Sequence, residues 1–273
     1  SSLVAGYPEE VEAFGKRNRA FVESLDSLVA ALNAVFVRDW STTSTADPVI
    51  FYLGRRCVDD FLEILLLSAN GHAAGASALL RGLYERAVTA AFLHVHPDEA
   101  SDFVDYDLVQ RRKLARAIAG LPDMNELPSK ELEALEVQFQ AVRERFEVSC
   151  CPKCKTKRLN HTWNNLDLVS MARETPRLKK LIVPAYLVPL SHAHSTLKSI
   201  SSKLEEAGGH LSWKDVPDHA DIDWNLRMAH CVLLQVLATQ IEHFELKGED
   251  EVIDRALSAY RDAWGMQTHE TTD

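Results

Sequence analysis

Arg81, Glu85 and His194 are the residues whose types could do chemistry together in this chain. Ser77, Arg81, Glu85 and Thr89 follow one another at steps of four, with Arg86 beside them, in a stretch that is otherwise apolar. On a helix that spacing draws one narrow polar line. An arginine and a glutamate buried there are tolerable only when paired and hydrogen-bonded, because an unpaired ion loses its hydration with nothing in return. Ser191-His192-Ala193-His194-Ser195 reads as the opening of a helix running to about Glu206, capped by Ser191 and stopped by Gly208-Gly209. Free N–H groups and the helix dipole make such an opening a small anion site, and they keep a histidine in the first turn neutral and available as a base. Convergence of Arg81, Glu85 and His194 would suit phosphate chemistry, or it would make a satisfied polar network that fixes the register of the helices.

A second set of chemistry-bearing residues is Cys150, Cys151, Cys154 and His161, in the segment SCCPKCKTKRLNH over 149–161. Cys151 and Cys154 form a CxxC pair, a spacing that can place two thiolates on one tetrahedral zinc ion, with Cys150 and His161 as further ligands. Zinc is the one cofactor this pattern could hold. A structural zinc site usually needs two such pairs, so a redox-sensitive loop and a plain loop of reduced thiols stay open beside it. Cys57 and Cys231, and the lone His94, His96, His230 and His243, read as ordinary residues of helix faces.

The elements that would position these groups follow from periodicity. Val58, Phe61, Leu62, Leu65 and Leu66 repeat at helical spacing, Asn70-Gly71-His72 reverses the chain, and a helix over 73–95 is apolar on almost all sides. The spacing predicts an antiparallel helical hairpin at the centre of the fold. Helices are also predicted over 8–39, 98–119, 129–147, 163–175, 221–247 and 250–264, and no strand pattern is visible. Pro184 and Pro189 should keep the piece between them from being mid-helix. The chain therefore reads as all-α, a multi-helix bundle forming one domain over 1–273, with 149–161 as a small cysteine-containing insertion loop.

Composition excludes some functions. With 30 Lys and Arg against 40 Asp and Glu, a net charge of −10 disfavours a surface built to hold nucleic-acid backbone. No uncharged run supplies the about 20 predominantly apolar residues that a membrane span needs. The start of the chain lacks a basic segment followed by a long apolar one, so an export signal is not expected, and five cysteines, three of them crowded at 150–154, make no disulfide framework and suit a reducing cytoplasm. Glu-x-x-His pairs, phosphate loops and the Arg-x4-His motif of HEPN ribonucleases are absent from the sequence.

Leu79-Leu80-Arg81-Gly82-Leu83-Tyr84-Glu85, then Trp163, then Tyr186 with Ser191 and His194-Ser195, resemble a bacterial family known as domain of unknown function 5677. The resemblance implies an all-helical protein whose polar motif residues are Arg81, Glu85, Tyr186, Ser191 and His194, and it brings no established activity. The reading reached from the sequence is a cytoplasmic, self-associating helical binding or interaction module. In it Arg81, Glu85 and His194, with Tyr186, Ser191 and Arg86, hold the core or bind a small anionic ligand. The alternative is a metal-independent nuclease or phosphoryl-transfer effector, of the kind used in phage defence, with His194 as base and Arg81 stabilising phosphate charge.

Overall fold

The hairpin forms as its periodicity requires. In a computed structural model describing residues 8–119, 121, 128–151, 156–193, 196–201, 203–214 and 216–265, the long helices are α1 (Pro8–Arg17), α2 (Arg19–Phe36), α3 (Ala46–Ala69), α4 (Ala73–Val95), α5 (Ala100–Ala119), α6 (Ser129–Val142), α11 (His219–Phe244) and α12 (Asp250–Ala263). Between α6 and α11 lie the short helices α7 (Leu168–Arg173), α8 (Pro176–Lys179), α9 (Val188–Ala193) and α10 (Leu197–Ser201). Gly71 ends α3 at a φ of 81°, and the His72 N–H closes on the Leu67 carbonyl at 2.9 Å. A left-handed residue just past a helix end is where glycine is favoured, and it turns α4 back along α3.

α11 lies against both helices of the hairpin, and α2 and α12 pack on each other beside α11. The main core gathers Phe21, Leu28, Phe61, Leu80, Tyr84 and Leu233, all at most 1% exposed. A smaller apolar cluster, Tyr106, Val109, Phe139, Val142 and Phe146, holds α5 to α6. Trp163 touches this cluster, the main core and a third cluster around Ile50 and Leu93. The fold is all-α, as periodicity predicts.

Several details differ from the expectation. The first helix breaks at Asn18, whose side-chain amide donates to Asp223 of α11 at 3.1 Å. The segment before α3, which reads as a plain linker, caps that helix reciprocally. The Ser44 N–H and hydroxyl donate to the Asp47 carboxylate, and the Asp47 N–H returns to the Ser44 hydroxyl. Residues 182–187 form a wide π turn, with the Val188 N–H bonded to the Val183 carbonyl. Pro184 lacks an N–H and crowds the tighter register, so the piece stays helical by widening.

Two strand hairpins stand where no strands were expected. β1 (Glu147–Ser149) pairs with β2 (Lys157–Leu159) inside the supposed insertion loop, and β3 (Leu204–Ala207) pairs with β4 (His210–Trp213). Gly208 and Gly209 take φ values of 62° and 79°, the two positive angles of a two-residue hairpin turn, so they connect strands and do not stop a helix.

Candidate functional site

The polar line on α4 is real, but half-buried. The Arg81 Nε donates to the Glu85 carboxylate at 2.8 Å, and the two side chains are 25% and 39% exposed. The Arg81 guanidinium lies 5.4 Å from the ring centre of Tyr186, which is stacked on Tyr84 at 6.0 Å. Tyr84 is fully buried and donates its hydroxyl to the Leu178 carbonyl at 2.9 Å. Thus Arg81, Glu85 and Tyr186 meet, as the motif requires. The expectation of a buried cluster is corrected, because α4 turns this edge toward the π turn and α9, which cover it only in part.

Arg86 and Ser191 go elsewhere. Arg86 donates to Asp60 of α3 at 2.7 Å, and Asp60 is 1% exposed, so the buried ion pair of the hairpin is this one. Burial pushes the Asp60 carboxyl above its usual range against the pull of Arg86 and Arg56. Gly82 leaves the room for it: a Cβ there would stand 2.8 Å from the Arg86 Nη1. Ser191 sits in the last turn of α9 and donates its hydroxyl to the Val188 carbonyl at 2.7 Å, so it does not open a helix. The helix starts earlier, at Val188, with Pro189 in its first turn, where a missing N–H costs nothing. His194 lies outside the described residues.

Cys150 and Cys151 are exposed and carry no disulfide, while Cys154 lies outside the described residues. Among the described residues no group of three or more His, Cys, Asp or Glu is arranged to hold a metal ion, so Cys150, Cys151 and His161 alone make no zinc site.

What the sequence did not disclose is a basin at the start of α4. A cavity of about 240 Å3 opens against Ala73 and Ala74 and is lined by His192, Lys203, Lys214 and His219. The antiparallel course of the chain explains the meeting. Tyr186 packs beside Tyr84, so α9 runs back along α4 and brings His192 to its first turn. The β3–β4 pairing sets Lys203 beside Lys214, whose N–H bonds the Lys203 carbonyl at 2.7 Å. The first N–H groups of a 23-residue helix have no partner within it and carry its positive end.

Asp218 and Asp221 also line the basin, but the Asp218 carboxylate caps α11 by accepting from the Asp221 N–H at 3.2 Å. His219 is engaged by Glu10 at 3.0 Å, and Lys203 donates to the Val216 carbonyl at 2.8 Å. Lys214 makes no ion pair among the described residues. The arrangement can take up negative charge, with Lys214 and the α4 N–H groups available to it. The only sequence signals were the basic residues at the two ends of a Gly-Gly hairpin.

No curated protein and no solved structure matches this chain. Residues 47–211, more than half of its length, match a family described as a family of unknown function, DUF5677. That stretch takes in the hairpin, the Arg81–Tyr186 contact, His192 and Lys203, and the chain belongs to this family.

Proposed function

We propose that this protein is a helical binding module for a small anionic ligand, seated in the basin at the start of α4. The observation that carries the reading is the convergence on one cavity of Lys203, Lys214, His192 and the first turn of α4, whose leading N–H groups have no partner within the helix. Lys203 and Lys214 balance Asp218 and Asp221 in formal charge, so the positive end of α4 is what the basin adds, and an oxyanion such as phosphate is the ligand it suits. Arg81 lies about two turns and Glu85 about three turns further along α4, and Arg81 braces Tyr186 of the π turn that leads into α9, so the seam orients His192 from outside the basin.

The test is calorimetric titration with inorganic phosphate at low ionic strength. Saturable binding that Lys214→Glu abolishes supports the reading. Absence of saturable binding to the folded protein overturns it. Arg81→Leu should fold and bind phosphate more weakly through misplacement of α9.

Self-association belongs to the same proposal and is supported by Tyr52, Leu62 and Leu66, which are more than half exposed on α3. Light scattering across a concentration series checks it, and substituting Leu62 and Leu66 by Glu should favour the monomer. A cytoplasmic setting is supported by Cys57, Cys150, Cys151 and Cys231, none of which forms a disulfide. Among the described residues no helix is long and apolar enough to cross a membrane.

A further inference from the structure

Near the opposite end of α4 a second cavity, of about 280 Å3, opens between α4, α8 and α11. Its walls are Ala91 and Val95 of α4 and Pro176 and Leu178 of α8, and its polar groups are His94, Gln235 and Thr239, with Arg177 and Glu242. Arg177 donates through both Nη atoms to the two oxygens of Glu242, at 2.9 and 2.5 Å, so these charges cancel each other. Thr239 donates its hydroxyl to the Gln235 carbonyl. What remains is a largely apolar chamber without net charge, furnished with the His94 imidazole and the Gln235 side-chain amide.

That imidazole is the end of a chain of contacts. Burial raises the Asp47 carboxyl, but the hydrogen bonds from Ser44 and Thr43 outweigh it and hold the group well below the usual carboxylate range. Asp47 is therefore an anion that can only accept. Its Oδ1 lies 3.1 Å from Nε2 of His243, so that nitrogen carries a proton. In neutral His243 the other nitrogen, Nδ1, is then an acceptor, and it lies 3.3 Å from Nδ1 of His94. His94 must donate there, which leaves its Nε2 with a free lone pair. Burial lowers the His94 pKa, so the ring stays neutral and the lone pair is available.

The ligand this chamber suits has little charge and much apolar surface. Four aliphatic walls bury a hydrocarbon body, and a ring nitrogen held as an acceptor selects a donor on it. We infer that the cavity binds a small neutral molecule with an apolar body and one hydroxyl group, which donates to His94 Nε2. Asp47 and His243 are positioning residues that keep that nitrogen an acceptor. The site shares no residue with the basin at the other end of α4, so either can fail without the other.

Phenol is the probe, with benzene as its counterpart lacking the donor. In the full chain labelled with 15N-histidine, ring-nitrogen spectra should show His243 protonated at Nε2 and His94 at Nδ1. Phenol should shift His94 Nε2 saturably and bind about tenfold more tightly than benzene, the factor one hydrogen bond supplies. Val95→Trp fills the mouth from a residue that is 52% exposed, so it should fold normally and abolish the shift. His243→Phe should leave His94 a mixture of tautomers and weaken phenol binding. His94 protonated at Nε2, equal affinities for phenol and benzene, or a phenol shift that survives Val95→Trp would each overturn the inference.

Discussion

Gly54 of α3 lies directly under the side-chain amide of Gln240 on α11, where a Cβ would overlap the amide nitrogen and stand 2.9 Å from its carbon and 3.1 Å from the Phe36 ring. The Gln240 Nε2 donates at 2.7 Å to the Ile50 carbonyl, one turn back on α3, and the residue is fully buried. Here a helix is bonded to its neighbour through a side chain that only a glycine leaves room for.

Gly54→Ala should therefore destabilise the protein, although alanine is the better helix former. Overpacking at a closed contact costs about 1–3 kcal/mol, against the roughly 1 kcal/mol that alanine contributes through propensity, and the displaced amide would also lose the acceptor for its buried N–H. A net loss near 2 kcal/mol in urea unfolding with an unchanged m-value is expected. Gln240→Leu in the same background should recover part of the loss, because it removes the amide that the new methyl displaces and the Ile50 carbonyl keeps its own helical bond.

His230 gives the fold an acid sensitivity. It is 1% exposed among Phe21, Phe61 and Tyr260, and its Nδ1 accepts from the Trp264 indole at 3.4 Å. Nε2 is buried without a partner among the described residues, and burial pushes the pKa down to about 4. The folded state thus binds the proton less readily than the unfolded chain, whose histidines titrate near about 6.5. Stability from this residue is complete above that value and is lost as pH falls toward about 4, by roughly 3 kcal/mol in all. Urea midpoints between those limits should fall more steeply for the native chain than for His230→Leu.

The ion pair inside the hairpin should be dearer to break than to replace. Arg86→Met leaves the buried Asp60 carboxylate with only Arg56, at 3.3 Å, and should cost about 3 kcal/mol. Adding Asp60→Leu should recover much of it. A double variant whose loss equals the sum of the two single losses would mean that the two residues do not depend on each other.

The hairpin, α11 and the Arg81–Glu85 line were legible because each is a local repeat: a period of 3.6 residues, a spacing of four, a turn triplet. What stayed hidden depends on residues that sequence spacing cannot join. Asp47 and His243 are 196 positions apart, and His94 and His243 are 149 apart. The basin needs α9 to run back along α4, which Pro184 and Pro189 obscured by resembling helix breakers. The β3–β4 hairpin was written in Gly208-Gly209, yet the same pair reads as a helix stop when the residues before it are good helix formers. Ser44-x-x-Asp47 was the missed signal that was local, a reciprocal cap inside a stretch read as linker.

Trp163 touches all three apolar clusters, with edge contacts to Phe92 at 5.8 Å and to Phe103 at 5.5 Å. One indole thus carries cooperativity between the α5–α6 pair and the hairpin core. With it the chain should melt as a single unit. Without it, as in Trp163→Ala, amides of α5 and α6 should exchange with solvent long before those of α4 and α11 do, through an opening that the native protein makes only when it unfolds altogether.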